Sequence, residues 1–165
     1  MAAPEIPFQG RAIEEEIFIA APPERVFQAL IDPQQLAQWW GQKGIYHGKQ
    51  WMIDLRPGGK WRTEGTSERG GNTFEVYGEY LHIDPPRLLE FTWIPSWAGP
   101  MNTVVRLELT PASGGTILRL RHSGFTDATQ LQAHSGWPQV LGWLRTFIEK
   151  GETVATRAPV SSPAK

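Results

Sequence analysis

The sequence predicts an α+β fold in which a long C-terminal helix covers one face of a curved, seven-stranded antiparallel sheet. Residues 127–150 place apolar side chains at steps of three and four, which is the period of one helix face. Upstream, six short segments are separated by turns rich in glycine and proline, as in an antiparallel meander. One further strand and two short helices precede this meander, so the predicted order is β-α-α-β6-α.

The domain is predicted to begin with a strand at residues 13–20, which is followed by two short helices. Pro23 suits a first helical turn, where the backbone N–H groups have no intrahelical partner in any case. Asp32 is a cap for the second helix, which carries Trp39 and Trp40 in tandem.

The six strands of the meander follow, and period-two alternation indicates which side chains face inward. They are predicted at residues 50–56, 60–68, 73–83, 87–94, 102–110 and 116–122. The register of the last hairpin follows if Pro111 pairs with Thr116. That register pairs Leu109 with Leu118, Leu107 with Leu120, Val105 with His122, and Glu108 with Arg119.

The closing helix is predicted in two parts, near residues 128–134 and 136–150. Asp127 and Ser135 are the expected N-caps, and Gly151 ends the second part. The apolar face is broad enough to require cover by the sheet. However, a helix of about 15 residues is only about 22 Å long. We therefore expect unfilled space between the helix and the sheet, closed at one end by the short helices.

The composition excludes several classes of function. The 165 residues carry a net charge of −1 with no basic block, which argues against a nucleic-acid partner. The absence of cysteine excludes disulfides, thiolate catalysis and Cys-ligated zinc. No apolar run approaches the ~20 residues of a membrane span, and no signal peptide is evident, so a cytoplasmic protein is expected. We expect a loose leader at 1–12, one domain at 13–151 and a flexible tail at 152–165.

The histidines are the main candidates for chemistry. His47, His82, His122 and His134 form no metal-ligand spacing, so neither a metal site nor a cofactor is predicted. For His122, at a strand end, the favoured interpretation is a hydrogen-bonded structural side chain, and the alternative is a ligand anchor or general acid/base. His134 is interpreted as a helix-junction residue facing the mouth of the cavity. No catalytic residue is assigned.

Several segments together resemble a known family. They are APPERVFQALIDPQQLAQWWG, DLRPGGKWR, GEYLHIDPPRLLEFTW, and GTILRLRHSGF with HSGWPQVLGWL. Over about residues 13–150 the chain resembles the SRPBCC (START/Bet v1-like) superfamily, and within it bacterial proteins related to the C-terminal domain of the activator of Hsp90 ATPase. The resemblance implies the helix-grip fold and a deep apolar cavity beneath the C-terminal helix. It implies no single activity, because the superfamily includes carriers, hormone binders, cyclases and co-chaperones.

Three functional hypotheses follow. The favoured one is binding of a small hydrophobic or aromatic molecule, oriented by Tyr80 and His122, because few polar residues face inward. The alternatives are a cyclase- or dehydratase-type enzyme in the same cavity, with His122 moving protons, and a chaperone-associated interaction protein. No nucleic acid or membrane span is expected, and a homodimer is left open. The predicted ligand-binding residues are Trp39, Trp61, Tyr80, Phe91, Trp93, Val105, Leu107, Leu120, His122, Trp137 and Leu141.

Overall fold

The computed structural model describes residues 12–67, 70–96 and 102–159. Its strands are β1 Ala12–Ile19, β2 Gly41–Gln42, β3 Tyr46–Ile53, β4 Lys60–Ser67, β5 Thr73–Asp84, β6 Leu88–Pro95, β7 Thr103–Ala112 and β8 Gly115–Ser123. Its helices are α1 Pro23–Ile31, α2 Pro33–Trp39, α3 Ala128–Gln132 and α4 Trp137–Lys150. All eight strands form one antiparallel sheet in the order β1-β8-β7-β6-β5-β4-β3-β2. The first strand therefore pairs with the last.

The predicted α+β helix-grip fold is confirmed, and the sheet has one more strand than the sequence predicted. The additional strand is β2, whose two residues pair with the start of β3. That start lies at Tyr46, four residues before the predicted boundary at residue 50. A β-bulge between Gly48 and Gln50 interrupts the alternation there, which removes the period-two signal on which the prediction depended.

The predicted register of the last hairpin is confirmed. Pro111 pairs with Thr116, Val105 with His122, and the other predicted pairs follow. Alternation was reliable here because the inward positions from Thr103 to Leu109 and from Thr116 to His122 are all buried, and no bulge shifts the phase.

The closing helix packs its apolar face into the core, as predicted. Asp127 caps α3, since its Oδ1 accepts from the Gln130 N–H at 2.8 Å, and Gly151 ends α4 at a φ of 71°. Ser135 is not a cap: Gly136 occupies the N-cap position and no side chain bonds there. Pro138, in the first turn of α4, has no N–H, which removes one of the donors that a cap would satisfy.

The domain continues beyond its predicted boundary at residue 151. Within residues 152–159 the Val154 N–H donates to the Gln38 carbonyl at 2.7 Å, and both Val154 and Arg157 are buried. This part of the predicted flexible tail is packed against the domain. The leader at 1–11, the loop at 97–101 and residues 160–165 lie outside the described residues.

The Arg157 guanidinium holds this segment in place. It donates to the carbonyls of Trp39, Gly41 and Trp143 at 2.6, 2.7 and 2.8 Å. It also lies over the Trp143 ring, 5.6 Å from the centroid. Burial lowers the pKa of Arg157, and the nearby Glu152 carboxylate opposes that shift. The end of the chain thus ties the α2–β2 junction to α4.

Candidate ligand-binding cavity

A cavity of about 440 Å³ lies between the inner face of β3 to β5 and the start of α4. Its wall is largely apolar, and six of its side chains are aromatic. The described lining residues are Trp40, Tyr46, Gly48, Trp51, Thr63, Ser67, Asn72, Thr73, Phe74, Val76, Trp93, Ala133, His134, Gly136, Trp137 and Val140.

Trp40 is at the centre of the aromatic wall. Its ring centroid lies 5.3 Å from that of Trp51, 6.2 Å from that of Trp93 and 5.8 Å from that of Trp137. These distances are in the range of favourable aromatic pairs. Trp40, directly after α2, and one tryptophan each from β3, β6 and α4 therefore form one continuous surface along the cavity.

Exposed lining residues lie at two places on the rim of the cavity. They are Asn72 and Thr73 at the start of β5, and Ala133 and Gly136 between α3 and α4. Among the described residues, the cavity is therefore bordered by exposed positions on both sides.

Of the predicted ligand-binding residues, only Trp93 and Trp137 line this cavity. The others are buried in the core and are not among the residues that line this cavity. Trp61 and Tyr80, for example, both pack edge-on against Phe91, with centroids 5.3 and 6.1 Å apart. The predicted ligand-binding residues that lie in the core are Trp39, Trp61, Tyr80, Phe91, Val105, Leu107, Leu120, His122 and Leu141.

The size of the inward residues along β4 explains the position of the cavity. The first of these residues is the large Trp61, and the three that follow, Thr63, Gly65 and Ser67, are small. Large side chains fill the space at the Trp61 end, whereas Thr63 and Ser67 at the other end leave it open. The sequence therefore contained a signal for the site, which is the run of small residues at one end of the inward face of β4. Alternation shows which residues face inward but takes no account of their size.

His122 is a structural residue at the base of the aromatic cluster. Its Nδ1 accepts from the Trp137 indole N–H at 3.0 Å, because the indole can only donate. Its Nε2 therefore carries the proton and donates to Thr103 Oγ1 at 2.7 Å, and that hydroxyl donates to the Trp93 carbonyl at 2.9 Å. Burial, with a smaller effect of His134, lowers the pKa of His122 to about 3. Both ring nitrogens are engaged, so His122 orients Trp93 and Trp137.

We expect acid to destabilise the protein through His122. The folded pKa is about 3 against a usual value of 6.5, so below pH 6.5 the unfolded chain binds a proton that the folded chain does not. The free energy of unfolding should be unaffected by His122 above pH 6.5 and should fall by about 1–2 kcal/mol between pH 6.5 and 5. Urea unfolding at several pH values in this window measures the slope.

The variant His122→Asn should show a shallower slope. Burial also lowers the pKa of His134, which leaves a residual dependence of the same sign in this variant. An unchanged slope in His122→Asn would contradict the assignment.

Three side chains supply polar groups at the aromatic wall. The Tyr46 Oη accepts from the Trp40 indole N–H at 3.1 Å, and burial raises the pKa of Tyr46 to about 12. The His134 Nδ1–H donates to the Gln130 carbonyl at 2.8 Å, which fixes the ring orientation in the wall. Trp51 Nε1 is buried beside Gly48 and has no hydrogen-bond partner among the described residues.

The described residues show neither a cluster of metal ligands nor a membrane-spanning helix. No group of three or more His, Asp or Glu side chains within them is placed to hold a metal ion. None of the helices in residues 12–67, 70–96 and 102–159 has the length and hydropathy of a membrane span.

Comparison with known proteins places the chain in a family. Residues 20–149 match the family model described as Activator of Hsp90 ATPase homolog 1-like protein. Among solved structures, protein CV1439 from Chromobacterium violaceum is 30% identical, with a TM-score of 0.76 over 86% of this chain and 99% of that one.

Two further structures share the fold at lower identity. The AHSA1-like protein from Aeromonas hydrophila is 23% identical, with a TM-score of 0.70 over 85% of this chain and 93% of that one. Protein Ms6760 from Mycobacterium smegmatis is 20% identical, with a TM-score of 0.71 over 92% and 93%. No curated protein matches the sequence. The chain belongs to the Activator of Hsp90 ATPase homolog 1-like family, within the SRPBCC superfamily.

Proposed function

We propose that the protein binds a small hydrophobic or aromatic molecule in the cavity between β3–β5 and α4. The observation that carries the proposal is an aromatic-lined space of about 440 Å³ bordered by exposed residues at the start of β5 and between α3 and α4. Ligand pockets typically have volumes of about 300–1,000 Å³, mostly apolar walls and a few placed polar groups. The fold is also that of a generally ligand-binding family.

The geometry supports binding over the cyclase- or dehydratase-type alternative. That alternative needs His122 to exchange protons with a substrate, but both of its nitrogens are bonded within the protein and its side chain is fully buried. The chaperone-associated alternative rests on the family description, and the cavity gives it no support.

Titration with the neutral fluorophore N-phenyl-1-naphthylamine tests the proposal. Four tryptophans line the cavity, so binding should quench tryptophan emission. It should also raise the melting temperature, since a ligand at 100 times its Kd stabilises the folded state by about 2.7 kcal/mol. The variant Val140→Trp introduces a large side chain into the wall and should remove both effects.

A matched control is available on the same helix. Gln139 is exposed, so Gln139→Trp adds the same side chain outside the cavity and should bind as the wild type does. If Val140→Trp does not fold, Ala133→Trp obstructs the cavity from an exposed position on the rim. Wild-type affinity in a folded, obstructed variant would overturn the proposal.

A further inference from the structure

Trp40, at the centre of the aromatic wall, lies between two carbonyl groups that bond the same side chain. The Arg157 Nη1 donates to the Trp39 carbonyl at 2.6 Å and to the Gly41 carbonyl at 2.7 Å. The Trp40 N–H donates to the Leu36 carbonyl at 3.1 Å, where α2 ends. The backbone on both sides of Trp40 is therefore held by one buried guanidinium, and this side chain is not among the described lining residues of the cavity.

Arg157 also supports the residue that bonds the Trp40 indole. Its Nη2 donates to the Trp143 carbonyl at 2.8 Å, and its Cζ lies 5.6 Å from the centroid of the Trp143 ring. That ring packs edge-on against the ring of Tyr46, with centroids 5.6 Å apart. The Tyr46 Oη accepts from the Trp40 indole N–H at 3.1 Å. Both partners of this hydrogen bond line the cavity, and both are thus supported by Arg157.

The segment that carries Arg157 is anchored to the domain at the same junction. The Val154 N–H donates to the Gln38 carbonyl at 2.7 Å, and the Ala158 carbonyl accepts from the side chain of Gln42 at 2.8 Å. The segment, residues 152–159, contains neither a helix nor a strand, so individual contacts with α2, β2 and α4 hold it to the domain. Docking of this segment and the conformation of the α2–β2 junction therefore depend on each other.

We infer that Arg157 is a positioning residue for the ligand site, which acts through Trp40 and Tyr46, and that docking of residues 152–159 is coupled to ligand binding. Without the guanidinium, the carbonyls before and after Trp40 turn toward other donors, which rotates the peptide planes that set the direction of its side chain. A ligand that stacks on Trp40 then loses part of its contact surface. This inference rests on the proposed ligand-binding function, and it assigns control of the affinity to a segment outside the cavity.

The variant Arg157→Met tests the coupling. N-phenyl-1-naphthylamine should bind it at least about 5-fold more weakly than it binds the wild type, since typical coupling between sites begins at this size. The titration follows quenching of tryptophan emission at a temperature where both proteins are folded. Leu118→Ala is the matched control, because Leu118 is fully buried and is not among the lining residues. This variant also loses stability but should keep the wild-type affinity.

A fluorine spectrum of the protein labelled with 5-fluorotryptophan tests the position of Trp40 in the absence of a ligand. The Trp40 resonance, one of eight, is identified by its loss in Trp40→Phe. It should shift in Arg157→Met and keep its position in Leu118→Ala. An unchanged Trp40 resonance in Arg157→Met would overturn the positioning role, whether or not the fluorophore binds.

Coupling between two sites is reciprocal, so the bound fluorophore should also hold the segment more firmly. In the wild type, a saturating concentration should slow hydrogen exchange of the Val154 N–H by at least about 5-fold. The Arg87 N–H, which donates to the Asp84 carbonyl at 2.7 Å in the β5–β6 turn, is the control amide. Equal slowing of the two amides would reflect general stabilisation of the fold, and this result would overturn the coupling.

The remaining outcomes separate this inference from the proposed function. If Arg157→Met does not fold, Arg157→Lys replaces it, because an ammonium group lacks the planar fork of donors that bonds all three carbonyls. Wild-type affinity in a folded variant of Arg157 overturns the inference while binding in the cavity stands. Failure of the wild type to bind the fluorophore overturns the proposed function, and the Trp40 resonance then supports or overturns the positioning role of Arg157 by itself.

Discussion

Replacement of Arg157 by methionine is expected to lower the free energy of unfolding by about 3–5 kcal/mol. The guanidinium is buried, with three carbonyl acceptors at 2.6–2.8 Å. Methionine keeps much of the aliphatic volume of arginine but has no hydrogen-bond donor. The three carbonyls are then left without a hydrogen-bond partner and without access to water. The same change removes the hydrogen bonds from Arg157 to Trp39 in α2 and to Trp143 in α4. Urea unfolding and the melting temperature measure the loss.

Arg145 provides the matched control for this substitution. It lies on α4 with its side chain exposed, so Arg145→Met should change the free energy of unfolding by no more than about 0.5 kcal/mol. If both methionine variants were equally stable, the three hydrogen bonds of Arg157 would contribute nothing to the fold.

Replacement of Leu141 by alanine is expected to cost about 2–5 kcal/mol, the range for a large aliphatic side chain removed from a closed core. The cost would be lower at the wall of an open cavity, where the side chain has fewer neighbours. The structure places Leu141 among the buried core residues and outside the cavity lining. We therefore expect the loss in free energy of unfolding that is typical of a closed core, and denaturant unfolding of the variant measures it.

Leu55→Ala is the corresponding surface control. Leu55 is 37% exposed, so its truncation should cost less than that of Leu141. Similar losses for the two variants would mean that the α4 face is not enclosed by the sheet.

Much of the fold could be predicted from the sequence because its signals are local. Two-residue alternation and turn chemistry determined the β7–β8 register down to the pairing of Val105 with His122. The cap was predicted correctly where a side chain makes it, as at Asp127. It was predicted wrongly at Ser135, because no side chain caps α4 and Pro138 lies in its first turn. Local patterns failed at the bulge after Gly48, where the period of the strand is broken.

The candidate site was harder to predict, because its position depends on contacts between distant strands. Alternation identified Trp61 and Tyr80 as inward residues, but it does not show that both pack against Phe91 and fill that part of the interior. The structural role of Arg157 could not be predicted either, because its neighbours in sequence have the composition of a solvated tail. Only the folded chain brings the carbonyls of Trp39 and Trp143 to it.

The pairing of β1 with β8 has a consequence for synthesis of the chain. Glu14 and its partner Arg121 are 107 residues apart, so a ribosome adding about 5–20 residues per second leaves β1 without its neighbour for roughly 5–20 s. During that interval Ile17 and Ile19 are exposed in a segment of high β-propensity. The consecutive carboxylates of residues 14–16 interrupt this apolar stretch, and charges in such positions oppose association between nascent chains.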